Sequence, residues 1–172
     1  MNTELKINDK DHVQGPKNAS LEVIEYGDYQ CPYCGKAYYV IKEIQKELGD
    51  QMTFVFRNFP IPELHPYAVH AAMAAEVAAA QDKFWEMHDV LFENQRALQD
   101  PELVAYAQQI GLDTAKFEQD FGKDEYFEKI NEDYKSGIRC RVQGTPAFFI
   151  NGEEFTGNWM DPGFLDYLKS LV

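Results

Sequence analysis

Basic residues are few in this chain. Sixteen Lys and Arg stand against 29 Asp and Glu in 172 residues, a formal charge of −13. A surface of that sign repels phosphate backbones and anionic headgroups, which excludes nucleic acid and membrane surfaces as expected partners. The acids are spread along the chain rather than gathered in a tail, and read as a solubilising surface. Long apolar runs are missing as well. The nearest, AAMAAEVAAA at 71–80, is short and interrupted by Glu76, well below the ~20 residues of a membrane span. The opening MNTELKINDKDHVQGPKNAS has no apolar run of the kind a secretory signal carries. With Met1 as the natural start the expected compartment is the cytoplasm; with a leader removed ahead of Met1 it is the periplasm or the exterior. Cysteine is the third shortage. Cys31, Cys34 and Cys140 are the whole complement, too few and too odd in number for a disulfide framework. With 45% hydrophobic and 14% aromatic residues, the chain can pack a core without covalent staples.

The remaining pattern is that of one domain spanning residues 1–172. Residues 1–20 are polar and form a lead-in, with a short edge strand near Val13. LEVIEY (21–26) is strand-like and ends on Gly27 and Asp28. From Pro32 the period changes: Ala37, Ile41, Ile44 and Leu48 recur at helical spacing, and Gly49 closes the helix. MTFVFRNF (52–59) is the next strand, stopped by Pro60 and Pro62. Helical patterns then run over about 63–139; in one of them Phe84, Trp85, His88, Leu91 and Phe92 recur at helical spacing, with Phe84, Trp85 and Phe92 as core. PAFFING, the Asn151–Gly152 turn and EEFTG predict a hairpin, and DPGFLDYLKSLV a final amphipathic helix. The order is β-α-β, an all-helical insertion, then β-β-α.

Chemistry concentrates where the first strand gives way to the first helix, in EYGDYQCPYC (25–34). With Cys31 at the helix start, Pro32 takes the first helical position, where its missing N–H costs nothing. Cys31 then faces unpaired backbone N–H groups and the positive end of the helix dipole, and both favour its thiolate. Cys34 lies one turn on, on the same face. The expectation is an exposed attacking cysteine and a more buried one that resolves the mixed disulfide. The competing reading, a metal site, fails on ligand count. A structural zinc site takes four ligands and one CxxC supplies two, while Cys140, His12, His65, His70 and His88 are poorly spaced to complete it. No metal and no organic cofactor are expected. Glu25 lies six residues before Cys31 and shares a strand face with Leu21 and Val23. In a central strand it would be partly buried, with a raised pKa; the alternative is a solvated Glu at a strand end.

CPYC after a strand, with GTPAFFING at 144–152, resembles the thioredoxin superfamily. The long helical insertion is similar to that of DsbA-type thiol–disulfide oxidoreductases. DHVQGP, EYGDYQCPYC, FRNFP, KFWEMHDVLFENQ and GTPAFFING, in that order, resemble the bacterial DsbA-like thioredoxin-domain proteins from about Asp11 to the chain end. The resemblance implies an α/β fold with a mixed sheet of four to five strands. Its thioredoxin core would span about 11–62 and 140–172, and its helical insertion about 63–139. It implies a protein disulfide oxidoreductase in which Cys31 attacks and Cys34 resolves. Pro32 and Tyr33 would flank the substrate. A cis Pro146, preceded by Thr145, would sit beside the pair, pair the Thr145 backbone with an extended peptide and keep metal off the sulfurs. An ordinary strand start is the alternative for Pro146. The superfamily also places an acid at the offset of Glu25, where it can take the proton from Cys34 through water. Tyr33 stands where the best-known DsbA enzymes have His, and makes the glutaredoxin dipeptide. That implies reduction of disulfides or handling of glutathione mixed disulfides rather than installation of bonds.

The implied partners are protein or peptide thiols and disulfides, with a recycling dithiol, disulfide partner or glutathione. Two rivals follow: a glutathione-linked disulfide reductase, and a redox-sensing or binding module without generic turnover, since related domains occur fused to membrane transporters. Lys36 reads as a solvated helix residue or an aid to the Cys31 thiolate. Trp159 reads as core or as the rim of a binding surface, and His65 and His70 flank the start of the insertion. Cys140 reads as a small buried apolar residue.

Overall fold

The computed structural model describes residues 3–172; Met1 and Asn2, the first residues of the expected lead-in, lie outside the described residues. Five strands form one mixed sheet in the order β1-β3-β2-β4-β5. They are β1 (His12–Gln14), β2 (Leu21–Gly27), β3 (Met52–Asn58), β4 (Ala147–Ile150) and β5 (Glu153–Glu154). The central strand β2 runs parallel to β3 and antiparallel to β4. β1 and β5 are antiparallel edges. A mixed sheet covered on both faces explains why β2 and β3 read as nearly continuous apolar runs rather than alternating ones.

The covering layers divide the apolar residues by parity. Leu21 and Val23 of β2, with Phe54, Phe56, Phe148 and Ile150, face α1 (Pro32–Leu48), the insertion and α7 (Gly163–Lys169). Ile24, Tyr26, Val55 and Phe149 face the opposite way, with Phe59, Cys140 and Val142. α1 forms because Cys34, Ala37, Tyr38, Ile41, Ile44 and Leu48 make one buried stripe at helical spacing. It stops where Gly49 takes φ 50°, a conformation that disfavours side chains.

The insertion consists of α2 (Ala68–Ala79), α3 (Phe84–Glu93), α4 (Asp100–Gln109), α5 (Thr114–Asp120) and α6 (Asp124–Arg139). α2 is buried nearly all round, and its alanines let α3, α4 and α6 approach closely. Phe84 and Phe92 are core of this unit, and Trp85 packs against it while donating to the Val13 carbonyl at 3.3 Å. Among the described residues no helix is long and apolar enough to cross a membrane.

The structure departs from the sequence reading at the lead-in, which is packed rather than peripheral. Thr3–Leu5 form a 3-10 turn, and Leu5 is buried against Ile24 and Val55. The reason lies in β3. The guanidinium of Arg57 is buried and makes a two-pronged ion pair with Asp11, both contacts at 2.8 Å. It also donates to the carbonyls of Glu4 and Lys6 and to the Tyr26 hydroxyl. A buried cation needs every donor satisfied, and the lead-in supplies four acceptor oxygens.

Candidate active site

Cys31 is the N-cap of α1, with extended φ −66° and ψ 122°, and Pro32 is the first helical residue. No side chain caps α1 at Cys31; the Asp28 carboxylate instead organises the turn that leads into the helix. Its Oδ1 accepts the amides of Gln30 at 2.8 Å and Cys31 at 3.2 Å. Cys34 falls on the inner side of the first turn and is 0% exposed, while Pro32 and Tyr33 project outward. Tyr33 is 55% exposed, with Lys36 Nζ 5.4 Å from its ring centroid. Lys36 is thus a solvated residue beside Tyr33.

The expectation of an exposed attacking cysteine is corrected, while Cys34 is, as expected, the more buried of the two at 0% exposed. Cys31 is itself only 5% exposed, because the 145–146 loop overhangs it. The Thr145–Pro146 peptide is cis, and Cys31 Sγ lies 3.4 Å from the Thr145 carbonyl oxygen. What separates the two sulfurs is their electrostatics. The Cys31 pKa is pulled down to about 5, first by the hydrogen bond from the Cys34 thiol, against the opposing effect of burial. The Thr145 hydroxyl, which has no other partner, and the amides of Cys34 and Tyr33 add to it. Cys34 is pushed well above the ordinary thiol value, chiefly by burial, then by its bond to Cys31 and the nearby charge of Glu25. The Asp28 amide, 3.5 Å from Cys34 Sγ, works the other way.

Glu25 lies beneath the pair. Its neighbours in register are Phe56 on β3 and Phe148 on β4, and it is 2% exposed. Its Oε1 has no hydrogen-bond partner. Burial, then the charge of Cys31, raise its pKa to about 8. A carboxyl in that range can both hold and release a proton near neutral pH.

Sequence reasoning missed two residues. Asp28 is one; a carboxylate three residues before a helix start is a recognisable turn and capping signal. Gln95, just beyond α3, is the other. Its Nε2 donates to the carbonyls of Tyr29 at 2.9 Å and Cys31 at 2.8 Å, and no local pattern announces a partner 64 positions away. The expected histidines split. His65 Nδ1 lies 2.8 Å from Asp28 Oδ2, in the site, whereas His70 pairs with Asp100 at the surface. His88 is buried on the Tyr29 hydroxyl at 3.1 Å, and burial lowers its pKa well below the usual value, so it is neutral. Trp159 packs on Phe148. A cleft of about 480 Å³ runs along the exposed side of α1, lined by Pro32, Lys36, Tyr39, Gln95 and Arg96 among others.

The family model described as thioredoxin matches residues 7–170. A Na(+)/H(+) antiporter, NhaA 1 of Salinispora arenicola, is 40% identical over 151 residues, which is 88% of this chain and 23% of the antiporter. The chain spans about a quarter of the length of the curated relatives it matches. Among solved structures, a thioredoxin-like oxidoreductase from Silicibacter pomeroyi superposes with TM-score 0.83 at 24% identity, covering 95% of this chain and 92% of that one. α-DsbA1 of Wolbachia pipientis superposes with TM-score 0.82 at 21% identity, covering 97% and 93%. Five mixed strands with a helical insertion are the fold of those DsbA-like neighbours.

Proposed function

The chain belongs to the thioredoxin family, and from that premise we propose that it exchanges disulfides with protein or peptide substrates through Cys31 and Cys34. One observation carries this reading: two adjacent sulfurs with pKa values driven apart, Cys31 down to about 5 and Cys34 well up. The Cys31 thiolate attacks a substrate disulfide, forms a mixed disulfide and expels one substrate thiolate. Cys34 gives its proton to the Glu25 carboxylate, directly or through water, and its thiolate attacks Cys31 Sγ. The second substrate thiolate leaves, the enzyme is oxidised to the Cys31–Cys34 disulfide, and the substrate is reduced by two electrons. The reverse sequence oxidises a dithiol substrate. Thr145 and Pro146 wall the sulfur on one side, and Pro32 and Tyr33 offer an exposed apolar surface on the other. A thiolate stabilised on Cys31 favours the reduced pair at neutral pH, which makes the disulfide form the better oxidant. A dithiol, a disulfide partner or glutathione recycles the pair.

A second reading has a specific observation behind it. Likeness to a quarter of an Na(+)/H(+) antiporter favours a redox-sensing module that acts on a transporter, with the same pair as its sensor. Turnover separates the two. An enzyme reduces a generic protein disulfide such as insulin catalytically with a recycling dithiol, and glutathionylated peptide tests the glutathione-linked variant. Cys34→Ser is expected to accumulate a mixed disulfide with substrate and Cys31→Ser to accumulate none. A redox-active pair without turnover on any of these substrates supports the module and overturns the enzyme.

A further inference from the structure

Asp28 is 1% exposed, and among the described residues the side chain paired with its carboxylate is the partly buried His65. Such a group survives burial only when its oxygens are fully hydrogen-bonded. Four donors meet it, two on each oxygen. Oδ1 takes the amides of Gln30 and Cys31. Oδ2 takes the amide of Ile61 at 2.9 Å and His65 Nδ1 at 2.8 Å. An ionised carboxylate only accepts, so Nδ1 is the protonated ring nitrogen of His65. Meanwhile the Asp28 amide points at Cys34 Sγ from 3.5 Å, and its carbonyl receives the Cys31 amide at 3.1 Å. One residue therefore touches the nucleophile's backbone, the resolving sulfur and the segment that leads into the insertion.

We propose that Asp28 is a positioning residue for the Cys31–Cys34 pair, and that its two oxygens tie the geometry of the pair to Ile61 and His65. The inference rests on the exchange chemistry proposed above. Donor and acceptor counting makes it specific. An asparagine has one acceptor oxygen and one donor amide. At position 28 it can serve the Gln30–Cys31 arm or the Ile61–His65 arm, and on the other arm its NH₂ faces two N–H groups. Either way the turn before α1 loosens, and the Cys34 thiol, with the amides of Cys34 and Tyr33, loses its alignment on the Cys31 thiolate it supports. Four donors solvate the carboxylate, and its charge is not among the principal influences on Cys31, so the geometric loss outweighs the gain from removing a negative charge.

The experiment uses the whole chain. Iodoacetamide labelling of Cys31 against pH gives a midpoint, and equilibration with a glutathione buffer gives the fraction of pair oxidised. In Asp28→Asn the midpoint is expected to rise by at least one unit, read as roughly a fivefold or greater fall in labelling at pH 5. The equilibrium is expected to move about tenfold per unit toward the disulfide, because the reduced form loses its stabilised thiolate. His65→Ala removes one donor of the four and is expected to shift both readings the same way by less. A folded Asp28→Asn protein with parental midpoint and equilibrium overturns the proposal. If Asp28→Asn does not fold, unchanged readings in His65→Ala overturn it. A parent midpoint near the free-thiol value of about 8.5 instead sinks the exchange reading itself.

Discussion

The side-chain oxygen of Gln95 lies 2.0 Å from where a Cβ on Gly35 would stand. The residue after Cys34 is thus small because the insertion reaches over it to hold the carbonyls of Tyr29 and Cys31. Gly35→Ala would gain about 1 kcal/mol of helix propensity if nothing opposed it. Here it must displace Gln95 and strand two carbonyls, so a net loss of about 1–3 kcal/mol is expected in urea unfolding. In the double variant with Gln95→Ala, the Gly35→Ala step is expected to become nearly neutral or favourable. Equal costs of Gly35→Ala in the two backgrounds would show that the contact does not constrain the site.

Cys31 is expected to label with a midpoint near pH 5, and Cys34 to stay unlabelled at neutral pH. Mass spectrometry of the modified peptide distinguishes them. Labelling of both thiols with one ordinary midpoint contradicts the asymmetry on which the chemistry depends.

Glu25 carries a stability cost with a definite sign. Its folded pKa of about 8 lies above the ordinary 4.5, so the folded state holds a proton that the unfolded chain releases. Stability is therefore lost as pH rises from about 4.5 to about 8, by an amount on the order of 3 kcal/mol at pH 7. Glu25→Gln is expected to match the parent near pH 4, exceed it increasingly up to pH 8, and hold that advantage above. It should also slow release of the mixed disulfide and change the pH–rate profile. Parental rates and profile would remove Glu25 from the chemistry, whatever its effect on stability.

Asp11→Ala leaves the buried Arg57 guanidinium without its two-pronged partner. Breaking one side of such a pair costs about 3–5 kcal/mol. Because Arg57 also gathers the Glu4 and Lys6 carbonyls, backbone amides around residues 4–8 should exchange hydrogen faster in this variant. A loss under 1 kcal/mol would show that the pair contributes little.

Cys140 is buried at the end of α6, with Tyr26, Val55 and Phe149 in the same apolar cluster. Cys140→Ala is expected to cost about 1 kcal/mol for the lost sulfur contacts and to leave insulin reduction within twofold of the parent. A large fall in turnover in a folded protein would give this thiol a part in the reaction.

Much of this protein can be read along the chain because its information is local. The stripe Ala37, Ile41, Ile44 and Leu48, the apolar runs of β2 and β3, the Asn151–Gly152 turn and the pair Cys31–Cys34 with Pro32 between them all follow from spacing and backbone chemistry within a few residues. The burial of Glu25 was legible too, because its parity matches Leu21 and Val23 in a strand central enough to be covered. Other features exist only once distant segments meet. Cys31 is covered by Thr145 and fixed by Gln95, so its exposure depends on chain 114 and 64 positions away. The lead-in packs because Arg57 demands more acceptors than the Tyr26 hydroxyl supplies, and residues 4–11 bring them. Asp28 announces a turn locally, but the donors from Ile61 and His65 that complete its coordination come from beyond β3. Periodicity records which face of an element is buried; it does not record which polar group from another element will meet a buried group there, as the Thr145 hydroxyl adds to the stabilisation that the Cys34 thiol gives Cys31.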